Sequence, residues 1–211
     1  MAAYDTYELT IIGDCYRLLA ACFYEPDKPL FVEQKVCSNL AMLLEKISPE
    51  AAEAARDMSK NLLRQEQQQM LVDYAALFVG PFELPAPPYG SVYLEKNKTV
   101  MGDTTLQVLK MYQDAGLQVE EKEPPDHIAI ELEFLSFLCA EEVRAHAQQD
   151  DERAGRLRQM RHMFFTTFLD VWVYRFCEAV RSGTGNTFYL ALADCLAAFV
   201  ASQQRHEALS V

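Results

Sequence analysis

Ile11-Ile12-Gly13-Asp14-Cys15-Tyr16-Arg17-Leu18-Leu19-Ala20-Ala21-Cys22-Phe23 is the stretch whose reading decides the fold class. Its apolar residues recur as pairs at 11/12, 15/16, 18/19 and 22/23, the spacing that gathers one face of an α-helix, and Pro26 stops the run. The same period continues downstream. Pro29 opens a second helix with Phe31, Val32, Val36, Leu40, Leu43, Leu44 and Ile47 facing inward, and Ser48-Pro49-Glu50 supplies an N-cap, a first-turn proline and a first-turn acid for a third. From Met58 to Phe78 a polar run at 64–69 passes into Met70, Leu71, Tyr74, Leu77 and Phe78, an exposed entry and a buried exit. A Thr104-x-x-Gln107 capping box begins another helix, with Gly116 as its C′ residue. Ile128, Ile130, Leu132, Phe134, Leu135, Phe137, Leu138 and Cys139 are apolar on all sides, which predicts a central, buried helix. Asp150 and Asp151 start the longest helix, whose stripe Phe164, Phe168, Trp172 and Phe176 reads as core. It ends at Gly183-Thr184-Gly185-Asn186, and a last helix runs from about Thr187 to Ala208.

Only Val92-Tyr93-Leu94 has the alternation of a strand. The expectation is therefore an all-α, single-domain helical bundle over residues 1–211, interrupted by a proline-rich aromatic loop at about 79–97.

Composition narrows the function. The chain has 211 residues, 50% hydrophobic and 24% charged, the profile of a folded globular protein rather than a disordered or fibrous one. A net charge of -12 repels phosphate backbones and anionic membranes and attracts basic partners, so nucleic acid is not expected. The six cysteines are scattered without a C-x-x-C pair and read as reduced, buried hydrophobes of a cytoplasmic protein. No signal peptide is expected, because the first ten residues carry Asp5 and Glu8 and no basic segment. The apolar tract Phe188 to Val200 is cut by Asp194 and is shorter than the ~20 residues a membrane span requires.

Catalytic arrangements are poorly supplied. Asp126 and His127 with Ser91 would make a hydrolytic triad only if neighbouring side chains converged, and there is no G-x-S-x-G elbow. His127, His146, His162 and His206 lack metal-ligand spacing, and Gly183-x-Gly185 follows no strand and precedes no Gly-Lys-Ser/Thr. No catalytic or metal-ligating residue is assigned. Binding reads better: a proline-stiffened loop carrying Phe82, Tyr89 and Tyr93 presents aromatic surface at low entropic cost, and the acidic turn at 120–126 can receive arginines. The plainer readings are that the loop caps the core, the acids coat a solvated turn, and Asp126 is the N-cap of the helix it precedes.

Four motifs in order carry a resemblance: Tyr74-x-x-Leu77-Phe78-x-Gly80-Pro81, then Ala86-Pro87-Pro88-Tyr89-Gly90-Ser91-Val92-Tyr93, then Gly102-x-Thr104-Thr105-Leu106, and Glu123-Pro124-Pro125-Asp126-His127. Over about Tyr74 to Leu138 the chain resembles the TorD/DmsD family of redox-enzyme maturation chaperones, and the A-P-P-aromatic-G-S-V-Y run leans toward the DmsD-like branch. Tyr89 stands where DmsD-like members carry tryptophan, keeping the aromatic face and adding a hydroxyl.

The resemblance implies a cytoplasmic, non-enzymatic, all-helical chaperone without a cofactor of its own. It would bind the twin-arginine signal peptide of an apo-molybdoenzyme of the dimethyl sulfoxide reductase type, holding back export until the cofactor is loaded. Its partners would be that leader, the apoenzyme's catalytic subunit and the cofactor-insertion machinery, with the chaperone a monomer or a helix-swapped dimer. Carried over by position, the signal-peptide-binding residues are Leu77, Phe78, Phe82, Pro87, Pro88, Tyr89, Pro124, Asp126 and His127. On this reading Asp126 with Glu120, Glu121 and Glu123 meets the arginines, while Leu77, Phe78, Phe82 and Tyr89 receive the apolar segment. His127 would make affinity pH-dependent near neutrality. Two rival readings stand beside it: an assembly factor that binds the mature region of a respiratory reductase, and a guanine-nucleotide-binding protein.

Overall fold

Asp5 begins the first helix by accepting the backbone N–H of Glu8 at 2.8 Å, and α1 then spans Thr6–Ala21. A computed structural model describes residues 5–80, 83–96, 100–118 and 123–208 of the chain. The helices are α2 (Lys28–Glu33), α3 (Val36–Leu44), α4 (Pro49–Arg64), α5 (Gln67–Tyr74), α6 (Gly90–Leu94), α7 (Asp103–Asp114), α8 (Ile128–Ala147), α9 (Asp151–Phe164), α10 (Asp170–Gly183) and α11 (Thr187–Ala208). The all-α expectation holds: among the described residues the only extended pairing is one isolated antiparallel bridge, between Tyr89 and His127.

Several local signals act as expected. Ser48 caps α4, accepting from the Ala51 N–H at 3.3 Å, and Asp150 caps α9, accepting from Arg153 at 3.0 Å. Gly116 takes φ +81 just past α7, a left-handed conformation that side chains with a Cβ adopt at a cost. Others fail for identifiable reasons. The second predicted helix is two, because Lys35 takes φ 53 and resets the axis between α2 and α3. The polar run after Met58 breaks at Gln65, whose extended ψ of 149 ends α4. The Thr104 capping box does not form: the N-cap of α7 is Gly102, two residues earlier, and the side chain of Glu95 accepts the Thr104 N–H at 2.9 Å instead. Val92-Tyr93-Leu94 is helical, within α6. Two π-helical turns, Ala75–Val79 after α5 and Phe165–Leu169 between α9 and α10, interrupt what the sequence period reads as continuous helices.

The layers are set by α1 packing along α8, α4 along α11 and α3, α9 along α8, and α10 along α11. Trp172, Phe164 and Phe176 lie fully inside, as the stripe predicted, and each buried ring of this size stabilises the fold by roughly 1.5–3 kcal/mol. All six cysteines are free and buried. Among the described residues no helix is long and apolar enough to cross a membrane, and no group of three or more His, Cys, Asp or Glu is placed to hold a metal ion.

Candidate functional site

The two irregular loops that the sequence singles out meet each other. Gly90 N–H donates to the Asp126 carbonyl at 2.9 Å and Ile128 N–H to the Pro88 carbonyl at 2.8 Å, the two bonds of the Tyr89–His127 bridge. Prolines at 87, 88, 124 and 125 leave few backbone donors here, so these two bonds carry the register.

Asp126 fastens the junction from below. Its Oδ2 accepts the Ser91 N–H at 2.7 Å and its Oδ1 accepts from the Thr105 hydroxyl at 3.0 Å, tying the start of α6 and the first turn of α7 to the loop that leads into α8. The residue is 0% exposed. The Tyr112 hydroxyl donates to the Pro125 carbonyl at 2.8 Å and completes the support. Asp126 is therefore neither the N-cap of α8 nor an open contact for arginine in this conformation. The cap is His127, whose Nδ1 accepts the Ala129 N–H at 3.2 Å.

With Nδ1 accepting, the proton of a neutral imidazole resides on Nε2. Burial pushes His127 down to about 4 against a smaller upward pull from Asp126, so the ring is neutral at physiological pH and the expected titration near neutrality does not occur. Tyr24 stacks parallel to this ring at 6.1 Å between centroids, and Tyr89 meets it edge-on at 5.4 Å. The Tyr24 hydroxyl donates to Glu133 Oε2 at 3.0 Å and the Tyr89 hydroxyl to Glu123 Oε2 at 3.2 Å. Burial first, then the adjacent glutamate, pushes both phenols above the ordinary tyrosine range, so both remain donors. Burial also raises Tyr74 to about 12, with Glu123 and Glu25 adding to it, which places Glu25 at the same surface. Glu25, Glu123 and Glu133 are exposed and have no basic partner among the described residues.

Under the junction lies a second carboxyl. Glu131 is fully buried, and its Oε2 accepts from Trp172 Nε1 at 3.1 Å. Burial, with the Asp126 charge adding to it, raises its pKa well above the usual range, so it holds its proton. Gly90 packs closely above it: a Cβ there would lie 3.0 Å from Trp172 Nε1 and 3.3 Å from Glu131 Oε1, tighter than ordinary van der Waals contact.

The structure sorts the sequence-predicted residues into two groups. Pro87, Tyr89 and Pro124 are half-buried and face the surface, and Pro88 is buried in the bridge. Leu77 and Phe78, at 1% and 3% exposed, belong to the core, where Phe78 packs on Phe23, Tyr74, Phe176 and Tyr189. They form no open apolar groove here, because the π-turn that carries them aims them inward. Phe82, Glu120 and Glu121 lie outside the described residues. Sequence reasoning missed Tyr24, Glu25 and Glu133. An aromatic beside the Pro26 helix stop was a signal for Tyr24, but its partner Glu133 is 109 residues away.

The family model described as nitrate reductase delta subunit matches residues 44–178. The protein named "Probable Tat proofreading chaperone DmsD" of Haemophilus influenzae is 35% identical over 129 residues, covering 60% of this chain and 56% of that one. "Tat proofreading chaperone DmsD" of Salmonella typhimurium is 29% identical over 146 residues, 68% and 65% of the two chains, and "Chaperone protein TorD" of Vibrio parahaemolyticus is 28% identical over 135 residues, 63% and 61%. The matched region thus spans between 56% and 65% of these relatives' own length. In fold, the chain is similar to a crystal structure described as a putative redox enzyme maturation protein from Archaeoglobus fulgidus, with a TM-score of 0.51 and 23% identity, covering 93% of this chain and 94% of that one. With the family model matched across well over half of its residues, this chain belongs to the TorD/DmsD family of redox-enzyme maturation chaperones.

Proposed function

We propose that this chain is a cytoplasmic chaperone that binds the twin-arginine signal peptide of a molybdoenzyme apoprotein of the dimethyl sulfoxide reductase type and holds back its export until the cofactor is in place. It acts by binding and not by catalysis. The observation that carries this reading is the surface at the loop junction: two tyrosine rings against a buried neutral imidazole, rimmed by Glu25, Glu123 and Glu133 without basic partners among the described residues. A basic segment followed by an apolar one finds acids and aromatic faces for the first part and the half-buried Pro87 and Pro124 for the second. The net charge of -12 speeds encounter with such a peptide. The relatives named as Tat proofreading chaperones support the same partner.

The test is calorimetric titration of the purified protein with a twin-arginine leader, with the same peptide carrying alanine for both arginines, and with an apoenzyme lacking its leader, each at low and moderate salt. Saturable binding that weakens in the alanine peptide and with salt is expected. Binding that ignores both arginines, or that persists with the leaderless apoenzyme, would overturn the reading in favour of mature-region recognition.

A further inference from the structure

His127 Nδ1 is occupied by the Ala129 N–H, so Nε2 is the donor, yet it has no partner among the described residues although the residue is only 3% exposed. With no partner among the described residues, this nitrogen is available to an acceptor that arrives with a ligand. The same two-residue device occurs twice against this ring. Tyr24 donates to Glu133 and lies parallel to the imidazole; Tyr89 donates to Glu123 and lies across its edge. Each carboxylate spends Oε2 on its tyrosine and keeps Oε1 without a partner among the described residues. A tyrosine face beside an open carboxylate oxygen is the environment that a guanidinium fits, stacking on the ring while its N–H fork meets the acid. Successive side chains of an extended peptide diverge, so two neighbouring arginines need two receiving groups rather than one.

Resting on the leader-binding reading, we propose that Tyr24–Glu133 and Tyr89–Glu123 are two separate guanidinium subsites, one for each of two consecutive arginines, and that His127 Nε2 donates to a peptide carbonyl between them. The site then selects arginine over lysine at each position and not merely positive charge, because an ammonium neither stacks nor makes the planar fork. Positional discrimination is what a diffuse acidic rim would lack.

Four leaders that differ only in the pair, Arg-Arg, Lys-Arg, Arg-Lys and Lys-Lys, are titrated calorimetrically against the wild-type chain, Glu133→Gln and Glu123→Gln. Both glutamates are exposed, so the variants are expected to keep the wild-type circular dichroism spectrum. Each single lysine is expected to weaken wild-type binding about tenfold, and each glutamine variant to erase that penalty at one position while leaving it at the other. If wild type shows no lysine penalty, or if both variants lose or keep both penalties together, the two-subsite assignment is wrong while leader binding stands. If no leader binds wild type, both readings fall.

Discussion

Replacing Asp126 separates a positioning role from a charge-contact role. Its carboxylate takes two short bonds, from Ser91 N–H at 2.7 Å and the Thr105 hydroxyl at 3.0 Å, in an environment with no exposure to solvent. Asp126→Ala leaves the Ser91 N–H and the Thr105 hydroxyl buried without their acceptor. At roughly 1.5–3 kcal/mol for each bond to a charged group, the expected loss is about 3–6 kcal/mol, lowering Tm by roughly 10 °C in a chain of this length. Asp126→Asn keeps the shape: its Oδ1 can accept from Ser91 while its amide donates to a rotated Thr105 hydroxyl, so about 1 kcal/mol is expected to be lost. Because Tyr89 and His127 are placed by the loops that Asp126 joins, leader affinity follows the same order, strongly reduced in the alanine variant and largely kept in the asparagine variant. The measurements are thermal unfolding by circular dichroism and calorimetric titration with the leader on both proteins. An asparagine variant that melts like wild type but binds leader as poorly as the alanine variant would refute the reasoning, since only the negative charge would then distinguish them.

Three other perturbations have defined outcomes. His127 is held at about 4 against an ordinary value of 6.5, so the unfolded state takes up its proton first; stability is full above about pH 6.5 and falls by about 3 kcal/mol as pH drops through 4, a slope that denaturant titrations should lose in His127→Gln. Glu131 has the opposite signature, a folded pKa raised above the unfolded one: keeping its proton costs stability above about pH 4.5, so Glu131→Gln should melt higher than wild type at pH 7 and converge with it near pH 4. Gly90→Ala should cost about 1–3 kcal/mol by driving a methyl group against Trp172, and because Trp172 is the chain's single tryptophan, its fluorescence reports the displacement directly.

Helix ends were legible where the cause is local. Ser48, Asp150 and Gly116 act through bonds or dihedrals within a few residues, and each does what its neighbours in sequence dictate. The breaks were not legible, because Lys35 in a left-handed conformation and the two π-turns lie inside stretches whose apolar period runs on unbroken. Leu77 and Phe78 lie in the core as the buried exit of the 58–78 run predicts, whereas the resemblance placed them at the peptide-binding surface. At the site, motif order located the two loops and the tyrosine at 89. It could not show that Asp126 would point inward, since an acid in a proline-rich acidic turn reads as solvated until Ser91 and Thr105 are known to lie beneath it. Nor could it pair Tyr24 with Glu133, a contact created by α1 packing on α8.

The site divides its carboxylates by depth, and the division has a physical reason. Exposed ion pairs are worth about 1 kcal/mol or less each, so Glu25, Glu123 and Glu133 cannot supply tight binding by charge alone. Asp126, buried, contributes far more, but to the protein itself: it fixes two proline-stiffened loops before any peptide arrives, and order already present in the free protein does not have to be created on binding. On the proposed reading, affinity comes from pre-set aromatic faces and the imidazole Nε2 donor, while the rim acids and the net charge of -12 govern encounter and selectivity. Exchanging the two roles would fail in both directions. A carboxylate buried without its donors would destabilise the junction, and a clamp exposed to water would leave the tyrosines without a fixed separation. If the chain binds a leader as proposed, selective but individually weak rim contacts on a rigid floor would let each arginine be read without holding the peptide permanently.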